Sequence, residues 1–320
     1  MKRIYMISLF LILSLGLSGC GDAETKPKET TSETKLVTTT FPVTLTDSAG
    51  QEVTIEERPT KIVSLIPSNT EILFELGLSE EVIAVTDFDN YPEEVFELEK
   101  IGGMEFNVEK IISLNPDLVL AHESSYSMAQ AGLKQIQDAG VAVVVVDQAD
   151  SFEDLYASVK LIGQATGQVE EANQEVEEMK SALLTIKEKA DSISEDKKKT
   201  VFFEISPAPE IYTAGQNTFL HEILELISAK NAVGEQEGWP QMTEEAIVAL
   251  NPDVIITTYG YYSEDPIGQV LAREGWIGVT AVEKEEIFDI HSDLVTRPGP
   301  RLIQGVEGVA KAVYPEVFTN

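Results

Sequence analysis

The chain has 320 residues, of which 43% are hydrophobic, and this is enough for two globular domains with cores of their own. Its 55 acidic residues outnumber 23 basic ones, and the net charge of −32 excludes the attraction that nucleic acids and anionic membrane surfaces require. A single cysteine excludes internal disulfides and multi-cysteine metal sites.

The first twenty residues have the features of an export signal. Lys2 and Arg3 precede an apolar run over residues 4–17, and the run ends in Leu-Ser-Gly immediately before Cys20. This run is short for a transmembrane span, so residues 1–19 are predicted to be a cleaved signal peptide. Leu-Ser-Gly-Cys resembles the bacterial lipobox, which implies that Cys20 becomes the N-terminus and carries a diacylglyceryl and palmitate anchor. Without the leader the chain has 21 basic and 55 acidic side chains, a net charge of −34, so membrane attachment must come from the lipid.

Residues 20–40 are rich in Thr, Glu and Lys and nearly free of apolar side chains, which predicts a flexible tether. Residues 41–165 then alternate between strand and helix patterns, and we expect them to form an N-terminal α/β lobe. Its predicted elements are a hairpin of residues 41–47 and 51–55, strands at 61–66, 82–86 and 141–147, and helices at 70–77 and 126–139.

The rest of the chain is organised around one long predicted helix at residues 168–193. Its apolar residues recur at alternating spacings of three and four, which places them along one side of a helix. These residues are Val169, Ala172, Val176, Met179, Leu183, Ile186, Ala190 and Ile193. A coiled-coil strand would show the same spacing, but α/β patterns flank the segment on both sides, and we expect a helix that bridges two lobes within residues 166–196.

An internal repeat supports two lobes of related design. Residues 107–121 and 243–257 share the pattern of a short helix, Asn-Pro-Asp, and a strand rich in Val, Leu and Ile, and each copy predicts a helix ended by Asn-Pro before a buried strand.

Residues 197–320 predict a C-terminal α/β lobe of the same kind. Its elements are strands at 200–205 and 286–290 and helices at 218–227 and 302–313. The predicted fold is therefore α/β, with two lobes of parallel-rich sheets flanked by helices and bridged by one long α-helix.

The motifs of common enzymes are missing from the sequence. It contains no Gly-rich phosphate loop, no nucleophile elbow and no zinc-protease motif, and its three histidines are scattered. A metal-dependent surface enzyme would need a clustered set of histidines and carboxylates, and an adhesin would have no reason for paired lobes; these are the alternatives of another class. We predict no catalysis, no metal site and no cofactor.

Aromatic residues are concentrated in loops at predicted strand ends, where open α/β sheets bind ligands. Such a lining suits a bulky, partly apolar ligand, although packing between lobes would explain any single residue equally well. The residues are Tyr91, Tyr126, Tyr212, Trp239, Tyr259, Tyr261 and Tyr262.

Five motifs resemble, in order, the helical-backbone substrate-binding proteins of ABC importers, which serve cobalamin, ferric siderophores and haem. The motifs are KIVSLIPSNTE from Lys61, DFDNYP from Asp87, VEKIISLNPD from Val108, WPQ from Trp239 and RPGPR from Arg297. The resemblance covers residues 41–319 and is greatest to the vitamin B12-binding branch. It implies a two-lobed fold bridged by one long helix.

The resemblance also suggests ligand-binding residues. By it, Tyr91, Tyr212, Trp239, Asp293 and Arg297 stand where that branch places corrin contacts, and His122 stands where the family can have an aromatic residue. Tyr259, from the loop aromatics, completes the predicted set. One departure is that Gly102-Gly103 lies where enteric B12 binders carry a tryptophan, and Phe106 is the nearby aromatic expected to compensate.

Glu109 and Glu245 occupy equivalent positions in the repeat, each two residues after a predicted N-cap. Carboxylates in a first helical turn complement the helix dipole, and this alone would explain them. In the B12 family, however, the matching glutamates pair with permease arginines, which implies a docking role for both.

The predicted protein is a lipid-anchored receptor on the extracytoplasmic face of the cell membrane. The resemblance implies that it captures cobalamin between its lobes and delivers it to an ABC permease dimer with a cytoplasmic ATPase, without binding nucleic acid. A ferric siderophore or haem is the alternative ligand.

Overall fold

The computed structural model describes residues 40–319. The predicted signal peptide, Cys20 and all but the last residue of the predicted tether lie outside the described residues. Across residues 40–319, no helix combines the length and apolar character needed to cross a membrane.

The N-terminal lobe is built on a five-stranded parallel sheet, as the alternating pattern predicted. An antiparallel hairpin precedes it, formed by β1 (Val43–Thr46) and β2 (Glu52–Ile55). The sheet strands are β3 (Ile62–Ser64), β4 (Val82–Val85), β5 (Glu99–Lys100), β6 (Leu118–His122) and β7 (Ala142–Val146), in the order β5-β4-β3-β6-β7.

Four helices flank this sheet: α1 (Pro67–Glu75), α2 (Val108–Leu114), α3 (Glu123–Asp138) and α4 (Phe152–Thr166), with a 3-10 turn at Glu93–Glu97. The predicted start of α1 at Thr70 is wrong, because Pro67 fits the first helical position, where its missing N–H has no intrahelical partner to lose. Tyr126 is likewise not a loop residue, because it lies in α3, where its hydroxyl accepts a 2.6 Å hydrogen bond from Gln51.

The C-terminal lobe has a four-stranded parallel sheet and a separate two-stranded antiparallel pair. The sheet has the order β10-β8-β12-β13, and the pair is β9 with β11. The strands are β8 (Thr200–Glu204), β9 (Ile211–Tyr212), β10 (Lys230–Asn231), β11 (Gln241–Met242), β12 (Val254–Thr257) and β13 (Ile287–Asp289).

Seven helices and one 3-10 turn at Glu195–Lys197 complete this half of the described chain. The helices are α6 (Phe219–Leu226), α7 (Glu244–Leu250), α8 (Pro266–Leu271), α9 (Thr280–Glu283), α10 (Ser292–Val295), α11 (Leu302–Val313) and α12 (Pro315–Phe318).

The long helix α5 (Val169–Ala190) lies between the lobes and has 22 residues, which makes it about 33 Å long. Gly167, in the left-handed conformation at φ +79°, ends α4 just before it. α5 packs against α4 of the N-terminal half and against α6, α11 and α12 of the C-terminal half. Seven of the eight stripe residues are buried in one apolar core that contains residues of both sheets, so the bridging interpretation holds and the coiled-coil alternative is wrong.

The two copies of the repeat fold alike. Each is a seven-residue helix, α2 or α7, ended by an asparagine in the left-handed conformation, Asn115 or Asn251, and followed by a buried strand, β6 or β12. Each also anchors the neighbouring strand. Asp117 accepts backbone hydrogen bonds of 2.9 and 3.0 Å from the two residues before β3, and Asp253 accepts one of 2.8 Å from Thr200 at the start of β8.

Candidate functional site

A cleft of about 340 Å³ lies between the lobes, at the carboxyl ends of strands in both sheets. Open parallel sheets bind ligands at this edge, because the loops that follow the strands converge there. The N-terminal lobe contributes residues 66–68 at the start of α1, His122 and Ser124 after β6, and residues 148–150 after β7. The C-terminal lobe contributes Phe219, Trp239, Asp293 and residues 296–298.

Three of the predicted aromatic residues are partly exposed: Trp239 lines the cleft, whereas Tyr91 and Tyr212 are outside its lining. Trp239 lines it and is 44% exposed, and Tyr212 on the adjacent β9 is 39% exposed. The two are held close because β9 pairs with β11, which begins two residues after Trp239. On the N-terminal lobe, Tyr91 is 43% exposed, and the guanidinium of Arg301 lies 3.9 Å from the centre of its ring in a cation–π contact. These half-exposed rings offer apolar surface that the fold itself does not cover.

Asp293 and Arg297 belong to a hydrogen-bonded network that joins the two lobes. Arg297 donates at 2.7 Å to Glu71, which is buried in α1 of the N-terminal lobe, and forms an ion pair of 2.8 Å with Asp293. Arg301 donates to both oxygens of Glu71, at 2.9 and 2.5 Å. Asn90 connects the lobes again, donating at 2.9 Å to Asp293 and accepting at 2.9 Å from Arg297. The polar face of the cleft is therefore held in place before any ligand enters.

His122 ends β6 and is only 4% exposed. Its Nδ1 lies 2.7 Å from the Ser124 hydroxyl, while Nε2 is buried and has no hydrogen-bond partner within residues 40–319. Burial lowers the pKa of His122, and the nearby charge of Asp147 opposes this only in part. The imidazole is therefore neutral at pH 7 and lines the cleft as a polar, uncharged group.

Tyr259 does not lie in the cleft. Its ring is fully buried, and its hydroxyl donates to Glu204, which also accepts two hydrogen bonds of 2.6 Å from Arg273. Burial and the charge of Glu204 raise the pKa of Tyr259, so the phenol stays protonated and serves the buried ion pair. Its predicted place among the ligand residues is not supported by this geometry, because no part of the ring is accessible.

The geometry does not support the expected compensation by Phe106. Phe106 turns into the N-terminal lobe, where its ring packs close to Gly132 on α3. Phe88 stands over Gly103 instead, so close that a Cβ on Gly103 would lie 3.0 Å from its ring, and it is 52% exposed. Phe88 is part of the quoted DFDNYP motif, but nothing in the local pattern indicated which aromatic would cover the glycine.

The sequence did not single out several residues that shape the cleft. Phe219 at the start of α6 lies against Phe152 of α4, with ring centroids 5.7 Å apart, and the Phe152 N–H donates at 2.9 Å to Glu222. These contacts join α4 to α6 and so connect the two halves beside the cleft. Ser68 and Asp150 line the cleft as well. Short polar residues after buried strands are the only local sign of such positions.

Glu109 and Glu245 are both exposed in the first turns of α2 and α7. The preceding caps are formed as predicted, with Asn107 accepting from the backbone N–H of Lys110 and Thr243 from that of Ala246. Within residues 40–319, neither glutamate has an ion-pair partner. Both carboxylates are therefore available to a partner protein.

Comparison with known proteins identifies the family. Residues 62–294 match the family model described as periplasmic binding protein. The chain belongs to the periplasmic binding protein family. This periplasmic binding protein is 49% identical, over 99% of both chains, to an uncharacterized ABC transporter substrate-binding lipoprotein of Bacillus subtilis (strain 168). It is therefore an ABC transporter substrate-binding protein rather than a member of an enzyme family.

Two further relatives differ in what they are said to bind. A cobalamin-binding protein of Halobacterium salinarum (strain ATCC 29341 / DSM 671 / R1) is 26% identical over 86% of this periplasmic binding protein and 74% of its own length. The crystal structure of a possible iron-binding (periplasmic solute-binding) protein from Staphylococcus epidermidis is 38% identical. It superimposes with a TM-score of 0.73 over 81% of this chain and all of its own. The names of these two relatives therefore point to different ligands, cobalamin and iron, and the comparison does not assign one to this chain.

Proposed function

We propose that the protein captures a corrinoid such as cobalamin in the interlobe cleft and delivers it to an ABC permease. The observation that carries the proposal is the pairing of half-exposed aromatic rings, Trp239 above all, with an already ordered polar face at Asp293 and Arg297. A corrin ring is broad and apolar and carries polar groups at its edge, so it matches both surfaces. The cobalamin-binding relative supports the same choice.

The cleft of 340 Å³ is smaller than a whole corrinoid. In this proposal only one edge of the ligand enters the cleft, and the remainder lies between the exposed rings of Trp239, Tyr212, Tyr91 and Phe88. The protein carries out no covalent chemistry on the ligand.

A ferric siderophore or haem is the second candidate, favoured by the similarity to the possible iron-binding protein. Calorimetric titration of the protein with cyanocobalamin, haemin and a ferric siderophore decides between the candidates. We expect cyanocobalamin to bind most tightly; tight binding of an iron ligand with no heat from cyanocobalamin would refute the corrinoid assignment.

Trp239→Ala tests whether the cleft is the site. Truncation of an aromatic side chain that becomes buried under a ligand commonly costs about 1–3 kcal/mol of binding free energy. We expect a loss in that range for cyanocobalamin and a smaller one for Trp239→Phe, which keeps an aromatic face. The matched control is Leu184→Ala on α5, which removes a similarly exposed apolar side chain away from the cleft. Equal affinity of Trp239→Ala and wild type would show that the ligand binds elsewhere.

Delivery to the permease is assigned to Glu109 and Glu245, whose exposed carboxylates are related by the repeat and would meet a two-fold permease once per lobe. The double variant Glu109→Gln, Glu245→Gln should bind ligand normally but support slower uptake by the reconstituted importer, most visibly at low salt. Normal uptake would leave both residues as helix-start carboxylates. The lipid anchor at Cys20 would hold the receptor at the extracytoplasmic face of the membrane, near its permease.

A further inference from the structure

The beginning of α1 lines the cleft at Ile66, Pro67 and Ser68 and carries hydrogen-bond donors for which residues 40–319 provide no acceptor. Its first residue, Pro67, has no N–H, and the N-cap residue Ile66 makes no side-chain cap. Among the described residues, nothing accepts from the backbone N–H groups of Ser68 and Asn69. Ser68 itself lines the cleft and is 3% exposed, and no other residue in the described part of the chain hydrogen-bonds to its buried Oγ.

Unpaired donors at such a position favour an incoming oxygen atom. Leaving a buried polar group unsatisfied is unfavourable, so a ligand oxygen that pairs with the Ser68 hydroxyl removes a penalty present in the free protein. The partial positive charge at the N-terminus of α1 adds to the attraction. Because the hydroxyl and the N–H groups belong to the same turn, a single oxygen could accept from more than one of them.

The charges around the same cleft indicate whether the ligand oxygen that binds there is neutral or negatively charged. Arg297 lines the cleft and is already bonded to Glu71, Asn90 and Asp293. Asp150 also lines the cleft, and among the described residues it has no ion-pair partner. The side chain of Asp150 is exposed, yet partial desolvation raises its pKa and the charges of Asp154 and Asp147 raise it further, so additional negative charge is unfavourable on this side of the cleft. A ligand carboxylate would therefore meet repulsion that a neutral carbonyl would not.

We infer that the start of α1 is a subsite for a neutral carboxamide of the ligand. Its carbonyl oxygen accepts from Ser68 and the free N–H groups of α1, while amide N–H groups of the ligand donate to Asp150. The inference rests on the proposed function and narrows it. It favours ligands with peripheral carboxamides, such as corrinoids, over ligands that carry carboxylates, such as haem.

Ser68→Ala is the first test, measured by calorimetry with cyanocobalamin. Loss of one hydrogen bond to an uncharged group should weaken binding about three- to tenfold. Ser158→Ala is the matched control, because Ser158 on α4 also has a buried, unpartnered Oγ but does not line the cleft. Both variants remove a hydroxyl without a partner, so neither should lower the melting temperature. Unchanged affinity of Ser68→Ala would overturn the inference.

The second test uses haemin and the derivative in which its two propionates are converted to amides, and it does not depend on a corrin ring. Wild type should bind the amide form more tightly, and Asp150→Asn should reduce this preference. Equal or tighter binding of the carboxylate form by wild type would overturn the inference. If the amide form is preferred while cyanocobalamin does not bind, the proposed ligand is wrong and the carboxamide subsite stands.

Discussion

Glu71 connects the two lobes, and its replacement by glutamine tests how much this connection stabilises the protein. The side chain is 2% exposed and accepts three hydrogen bonds of 2.5–2.9 Å from Arg297 and Arg301, which are themselves 14% and 16% exposed. Glu71→Gln keeps the shape of the side chain but removes the charge that faces two guanidinium groups. The glutamine side chain also has only one carbonyl oxygen to accept hydrogen bonds from the arginines, whereas the glutamate has two carboxylate oxygens.

The expected loss of stability depends on the contacts that the two arginines keep in the variant. Removing one partner of a buried ion pair commonly destabilises a protein by about 3–5 kcal/mol, since the other charge stays buried. In this variant Arg297 keeps its 2.8 Å ion pair with Asp293, and Arg301 keeps its cation–π contact with the ring of Tyr91. We therefore expect a loss of about 2–3 kcal/mol in the free energy of unfolding, below the full range.

Urea unfolding followed by tryptophan fluorescence and by circular dichroism measures this loss. Coincidence of the two transitions checks that the lobes unfold together, as their shared apolar core predicts. Glu80→Gln is the control, because Glu80 is exposed in the same lobe and should change the stability by less than about 0.5 kcal/mol. If Glu71→Gln is no more destabilising than this control, the network does not stabilise the joined lobes.

Two further predictions concern the pH dependence of stability and the lipid anchor predicted at Cys20. Burial, with repulsion from Glu75 and Glu178, raises the pKa of Glu175 to about 7. The folded protein thus holds a proton that the unfolded chain releases nearer pH 4.5, and stability falls as the pH rises through this window. In thermal melts, Glu175→Gln should leave the stability unchanged at pH 4 and raise it by about 1 kcal/mol at pH 8. This value is reduced because solvent screens the half-buried group. Equal effects of the substitution at both pH values would contradict the prediction. Cys20→Ala, motivated by Leu-Ser-Gly-Cys, should abolish labelling with a radioactive fatty acid, and undiminished label would show that the lipobox interpretation is wrong.

The sequence was informative wherever structure depends on neighbours along the chain. The apolar stripe from Val169 to Ile193 predicted α5, because a helix returns to the same face every three or four residues. The repeated Asn-Pro-Asp likewise predicted a helix end and a buried strand in each half, since the residue before proline resists the helical conformation. Both features are local, and no distant residue was needed to infer them. The aromatic residues in loops after predicted strands indicated the edge of the sheets at which to look for a site, and the family motifs then suggested which residues bind ligand.

Tertiary packing decided which side chains reach that site. Glu71 and Arg297 are 226 residues apart, and nothing near either one shows that they meet across the lobes. Tyr259 and Trp239 look alike as loop aromatics, yet Glu204 and Arg273 enclose the first while the second stays exposed. Phe88 and Phe106 flank the same pair of glycines, and only the packing of α3 against Phe106 leaves Phe88 to cover Gly103. Whether a side chain faces a ligand or the core depends on residues that are distant in sequence and packed against it in the fold. The local periodicity of the sequence does not show which residues these are.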